Sequence, residues 1–294
     1  MKSLATIFSM DICAFAVMSN HYHLILHVDA KASATWSQSE VITRWTQLFS
    51  LPPLIQRYLR GKTTTDAEVN KVTEIVDQWR ARLTDISWFM RVLNESIARR
   101  ANREDNCTGR FWEGRFKSQA LLDDAAMLAC MTYVDLNPIR AGMADTPEQS
   151  DFTSIQERLR QFATARQAAE SAPPDSATEQ PADLLPFVGG EHIDVPRGIA
   201  FSLPDYLQLV DWTGRAVRDD KRGAIPAHIQ PIFQRMGLNQ DEWLEMVQHF
   251  GRRYRLAVGA VERLQHFGQR LGRYWLQGTG TSRRFYQQPV LTRG

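Results

Sequence analysis

Two histidines separated by one residue, His21 and His23, are the first side chains whose types and spacing suggest chemistry. Alternate residues of a strand project from one face, so both imidazoles of His21-Tyr22-His23 can reach one metal ion while Tyr22 points away. Without context, such a triplet fits surface or core histidines better. His27 shares the face, but at about 3.3 Å per residue it lies roughly 13 Å from His23, too far to ligate the same ion. Tyr133 and Asn137 form a second pair, and four residues apart on a helix their side chains lie one above the other. A phenol that loses its proton can attack a phosphodiester and become a phosphotyrosine if a cation neutralises the phosphate. An Asn carboxamide oxygen suits a hard divalent ion. Spacing alone favours a structural tyrosine. Arg110, Phe111, Trp112, Arg115, Phe116 and Lys117 interleave cations with aromatic rings, a pattern suited to phosphate contacts and base stacking on an unpaired strand. Core packing of Phe111 or Phe116 explains either ring equally well.

The elements that must hold these residues follow from periodicity. The apolar run Ile12 to Met18, the polar turn Ser19-Asn20 and the segment His21 to Val28 predict a strand pair with His21, His23, Ile25 and His27 on one face. Residues 29–84 read as polar helices. Glu40 to Phe49 stops before Pro52-Pro53, and Asp66 to Leu83 carries Val69, Val72, Ile75, Val76 and Trp79 at helical spacing. Asp85 is placed to cap a helix whose stripe is Phe89, Met90, Leu93 and Ile97. The segment Phe111 to Lys117 reads as a further strand. Asp123 or Asp124 then caps a helix with Met127, Cys130, Met131 and Val134 on its apolar face, and Pro138 should end it because the residue before a proline leaves the α region. From about Ala163 to Asp183 the chain turns to Ala, Glu, Ser, Gln and Pro, the composition of a linker. The expected organisation is a first domain over 1–162, a linker over 163–195 and a basic helical region over 196–294.

Composition narrows the class. With 294 residues, 43% of them hydrophobic and 23% charged, the chain is an ordinary globular protein with enough mass for a real core. Its net charge of +2 hides an asymmetry: from Pro196 onward there are 15 Lys plus Arg against 8 Asp plus Glu. Cys13, Cys107 and Cys130 lack the paired spacing of a zinc knuckle or disulfide framework and fit a reducing compartment. The start of the chain makes a poor signal peptide, and no stretch approaches the roughly 18 apolar residues of a membrane span. The expectation is a cytoplasmic protein without membrane contact.

Taken together and in order, three segments resemble a known family. Met18-Ser19-Asn20-His21-Tyr22-His23-Leu24, Gly109-Arg110-Phe111-Trp112-Glu113-Gly114-Arg115-Phe116-Lys117-Ser118 and Tyr133-Val134-Asp135-Leu136-Asn137-Pro138-Ile139-Arg140-Ala141-Gly142 are similar to the REP-associated tyrosine transposases. These are relatives of the single-tyrosine insertion-sequence transposases in the HUH endonuclease superfamily. The resemblance covers about Ile12 to Gly142. It implies an α+β fold, with a ferredoxin-like or RRM-like antiparallel sheet backed by helices. His21, His23 and Asn137 would hold a divalent metal, Mg2+ or Mn2+, and Tyr133 would be the nucleophile on single-stranded, hairpin-forming DNA. Arg110, Trp112, Arg115, Lys117 and Arg140 would contact that DNA. Relatives include monomers and dimers, so a homodimer is one expected state. The family's first, central strand has only Met1 to Asp11 in its place here, so the expected sheet lacks that strand, and an inactive DNA-binding remnant is the alternative to a working enzyme. Residues from Pro196 on, including Asp211-Trp212-Thr213-Gly214-Arg215 and Asp219-Asp220-Lys221-Arg222-Gly223, resemble the C-terminal extension of longer members, which fits either a DNA-binding accessory module or a protein-interaction bundle.

Overall fold

The computed structural model describes residues 1–63, 65–169, 180–189, 197–217, 230, 233–234 and 237–286. It mixes helices with a small antiparallel two-stranded sheet, as expected of an α+β chain. Two compact units divide it: the first comprises Met1–Ile12 and Leu26–Lys117, the second Cys13–Ile25 and Ser118–Gly294. The sheet is formed by β1 (Met10–Val17) and β2 (Tyr22–Val28), joined at Ser19-Asn20 by a turn that Met18 N–H closes on the His21 carbonyl at 2.8 Å. Among the described residues this sheet has no third strand. β1 is buried along nearly its whole length, whereas β2 presents an edge of partly exposed residues.

The first unit is helical. After α1 (Lys2–Ile7), the polar stretch predicted between 29 and 84 forms α2 (Ala30–Thr35), α3 (Gln38–Thr46), α4 (Pro53–Leu59) and α5 (Asp66–Leu83), followed by α6 (Ile86–Glu104). Each start has a local cause. Ser37, Thr65 and Asp85 accept backbone N–H groups of the first turns of α3, α5 and α6, and Pro53 opens α4, where its missing N–H has no helical partner to lose. The apolar stripe of α5 buries Val72, Val76, Trp79 and Leu83, leaving Val69 outside, and Trp45 of α3 stacks on Trp79 with ring centroids 5.0 Å apart.

The expected strand at Phe111 to Lys117 does not form. This segment is irregular, because the Arg110 guanidinium donates to the carbonyls of Trp112 and Glu113 and folds the chain back on itself. Those carbonyls are no longer available to a ladder, and the Trp112 indole N–H anchors the turn on the Asn94 carbonyl at 2.9 Å.

In the second unit the chain continues through β3 (Ala120–Leu121), α7 (Asp124–Asp135), α8 (Asn137–Arg140), α9 (Ser154–Ala169), α10 (Leu203–Val217), α11 (Gln240–Arg253), β4 (Ala257–Val258), α12 (Val261–Arg270) and α13 (Thr279–Phe285). β3 pairs in parallel with β4, Ala120 opposite Ala257. Asp123 caps α7 through its Ala126 N–H and also accepts from Ala260 N–H and the Tyr286 hydroxyl, so one carboxylate fixes three segments. One core joins Ala14 and Ala16 of β1, Met131 and Val134 of α7, Tyr206, Leu209 and Trp212 of α10 and Trp243, Val247 and Phe250 of α11. Leu185 and Phe187, inside the expected linker, are buried in the same core, and Leu184 is buried beside them in the chain. Residues 170–179 and 190–195 of that linker and the Asp219 to Gly223 segment lie outside the described residues. No helix among the described residues is long and apolar enough to cross a membrane.

Candidate active site

Tyr133 stands in the last turn of α7, half-buried, on the side of the helix that faces β2. The expected continuous helix from Tyr133 to Asn137 is broken. α7 ends at Asp135, Leu136 adopts φ −90° and ψ 2°, and Asn137 opens the separate turn α8 with Pro138 behind it. The break follows from the proline, which supplies no N–H to continue the ladder. It still keeps Asn137 on the tyrosine's side of the chain. His21 lies just before β2 rather than within it, but its ring remains beside that of His23, with centroids 5.0 Å apart.

The result is one cluster. The His23 and Tyr133 rings meet edge to face at 5.6 Å, and the Asn137 amide nitrogen is 2.9 Å from His23 Nε2. The Asn137 N–H donates there, so His23 Nε2 carries the lone pair. His21 Nδ1 donates to Asn20 Oδ1 at 2.7 Å, which leaves His21 Nε2 as its acceptor nitrogen in the neutral ring. Burial, then the neighbouring His21, then the Arg140 charge hold the His23 pKa down to about 4, so this imidazole is neutral near pH 7. His23 therefore offers an unprotonated Nε2 atom.

Among the described residues no group of three or more His, Cys, Asp or Glu side chains converges as a metal cluster. A metal at this place depends on the Asn137 carboxamide as third donor. The donor chemistry fits: the amide's nitrogen and oxygen exchange places on rotation about its last bond, which brings Oδ1 to the side of His23. His27 takes no part; its Nδ1 lies 3.3 Å from Asp11 Oδ2.

Arg140 closes the other side of the tyrosine. Its guanidinium lies 4.7 Å from the Tyr133 ring centroid and donates to the Gln248 carbonyl at 2.7 Å. That carbonyl is next to His249, whose φ −118° and ψ 19° put a non-helical residue inside α11. Beyond it Phe250 stacks on Tyr133 at 5.6 Å, and at Gly251 even a methyl group would sit 3.6 Å from the Tyr133 hydroxyl. A cavity of about 470 Å3 is lined by Tyr133, Arg140, Gln248, His249, Gly251 and Arg252. The α11 wall was not anticipated from the sequence; its one signal is a glycine between Phe250 and the Arg252-Arg253 pair in a helical pattern. Arg110, Trp112, Arg115 and Lys117 belong to the first unit, where the first two build the irregular turn.

Behind the cluster, α7 is tied down by a buried polar network. Asp135 accepts from the hydroxyls of Ser154 and Tyr206, each at 2.6 Å, and Phe15 of β1 donates its N–H to Ser154 Oγ at 2.8 Å. Burial pushes the Asp135 carboxyl up to about 6, against the pull of the two hydroxyls and of the Arg158 charge. The strand that leads to the histidines and the helix that bears the tyrosine are thus joined through one serine. Compared with known proteins, the chain matches no family model, no curated protein and no solved structure.

Proposed function

We propose that this protein is a tyrosine transposase of the REP-associated kind, a metal-dependent endonuclease that cuts and rejoins hairpin-flanked single-stranded DNA. The observation that carries this reading is the meeting of His23 with Tyr133 and Asn137 in one cluster, across 114 residues of chain in the case of Asn137. Chance packing of a tyrosine, an amide and paired histidines is ordinary, but these are the residues that the three motifs single out. His21, His23 and Asn137 would hold Mg2+ or Mn2+, which when bound polarises the scissile phosphate. Imidazole nitrogens beside a single amide oxygen accommodate Mn2+ as readily as Mg2+.

The protein's own groups account for the rest. The Tyr133 phenol gives up its proton and its oxygen bonds to phosphorus while the bond from phosphorus to the 3′ oxygen breaks; the departing 3′ oxygen takes up a proton, leaving a 5′-phosphotyrosine and a 3′-hydroxyl. Edge contact with His23, stacking on Phe250 and the Arg140 cation hold the phenol in place, and Arg140 is positioned to share a phosphate contact. A later 3′-hydroxyl attacks the same phosphorus and releases the tyrosine, so the phosphotyrosine conserves the bond and strands can be joined.

Labelled hairpin DNA with an unpaired flank, incubated with Mn2+ or Mg2+, tests this. A denaturant-resistant protein–DNA adduct that Tyr133→Phe abolishes is expected; cleavage that survives the substitution points to water as nucleophile instead. The two-stranded sheet favours a second reading, a DNA-binding protein without cutting activity, because β2 is held by one neighbouring strand only among the described residues. Binding without any adduct is its signature.

A further inference from the structure

We propose that the loop after α12, from Arg270 to Trp275, is a second contact for single-stranded DNA that stacks bases on Tyr274 and Trp275; this rests on the reading of the protein as a DNA-acting enzyme. Tyr274 is 109% and Trp275 70% exposed, with Leu271 at 50% beside them. Large rings so fully in water are unusual in a loop that is otherwise well built. The loop is held at both ends. Leu271, Gly272 and Arg273 N–H groups close on carbonyls of Phe267, Gly268 and Gln269, and Gly272 takes the left-handed φ of +66° that turns the chain out of the helix. Leu276, the next residue after the rings, is buried at 5% and returns the chain to the core, while Gln277 Nε2 bonds the Arg252 carbonyl at 3.2 Å. A fold that buries Leu276 and holds the two preceding rings out of contact with any other described aromatic displays them.

The charge around the rings selects the occupant. After Glu262 the sequence has no Asp or Glu, and it carries Arg263, Arg270, Arg273, Arg283 and Arg284 up to Tyr286. Arg270 and Arg273, which bracket the turn, are exposed and form no ion pair among the described residues. Two exposed guanidinium groups followed by two exposed aromatic faces match an unpaired strand, with phosphates on the arginines and bases on the rings. A duplex hides its base faces. A membrane surface would need a larger apolar face than Leu271, Tyr274 and Trp275.

The test uses the full chain carrying Tyr133→Phe, so that no covalent product forms, and the anisotropy of a fluorescein-labelled oligothymidylate. Tyr274→Ala with Trp275→Ala is expected to weaken binding about tenfold or more, and Trp275→Phe to retain it. Arg270→Ala with Arg273→Ala should reduce the slope of log affinity against log salt by about 1.4. All four side chains are exposed, so thermal unfolding should not change. Unaltered affinity in the double ring variant overturns the proposal, as does an equal loss on duplex DNA, or a loss confined to capture on phosphatidylserine vesicles. The two readings separate cleanly. An adduct formed by the Tyr133 protein together with ring-independent affinity removes the loop alone; ring-dependent affinity without any adduct removes the transposase reading alone.

Discussion

Replacing Asp135 by Asn should remove part of the pH dependence of stability. The carboxyl is buried and accepts from Ser154 and Tyr206, yet Arg158 directs Nη2 to the carbonyls of Cys13 and Leu185 and leaves its Nε and Nη1 without partners. Desolvation therefore outweighs attraction to the arginine, and the folded carboxyl titrates at about 6 against roughly 3.9 in the unfolded chain. Between those values the native state binds more protons than the unfolded state, so stability is full below the lower value and falls as pH rises through the upper one. Two pKa units correspond to about 3 kcal/mol. Urea unfolding of both proteins between pH 4.5 and 7.5, compared as a difference, isolates this group from every other titration. The Asn variant should be the less stable at the acid end and recover by roughly 2 to 3 kcal/mol relative to the parent at the alkaline end. A constant difference, or one that widens with rising pH, would refute the reasoning and mean that Arg158 dominates the carboxyl.

Further outcomes follow from the site itself. The His23 imidazole should titrate near pH 4 by NMR; since its folded pKa is depressed, the unfolded chain takes up the proton first, and stability is lost as pH falls from about 6.5 toward that value. A midpoint near the ordinary imidazole value would remove burial as the cause. Gly251→Leu, which extends the position whose added carbon sits 3.6 Å from the tyrosine oxygen, should block adduct formation while shifting the urea midpoint little, because Gly251 is exposed. Arg140→Ala loses both the bond to Gln248 and the contact with the Tyr133 ring. A cost of about 1 to 2 kcal/mol in stability is expected, with a larger proportional loss in DNA affinity at low salt than at high salt.

Much of the local structure was legible in the sequence because its causes are local. Asp85 caps its helix, the strand pair turns at Ser19-Asn20, and the stripe of Val72, Val76 and Trp79 is buried, as the spacing of capping and apolar residues dictates. The strand expected at Phe111 to Lys117 failed because alternation of apolar and polar residues says nothing about which side chain will take the backbone carbonyls; here Arg110 does. Pro138 signalled the end of the tyrosine helix, but the end fell before Asn137, whose place beside His23 depends on packing over 114 residues. The same holds for Phe250, Gly251 and the bend at His249, which bring a distant helix against the phenol. By itself, then, the sequence determined which residues could do chemistry and the local elements that carry them, since periodicity and capping act within a few residues. Only the tertiary structure decided that His21, His23, Tyr133, Asn137 and Arg140 share one site walled by α11, because burial and long-range hydrogen bonds, not spacing, choose which faces meet.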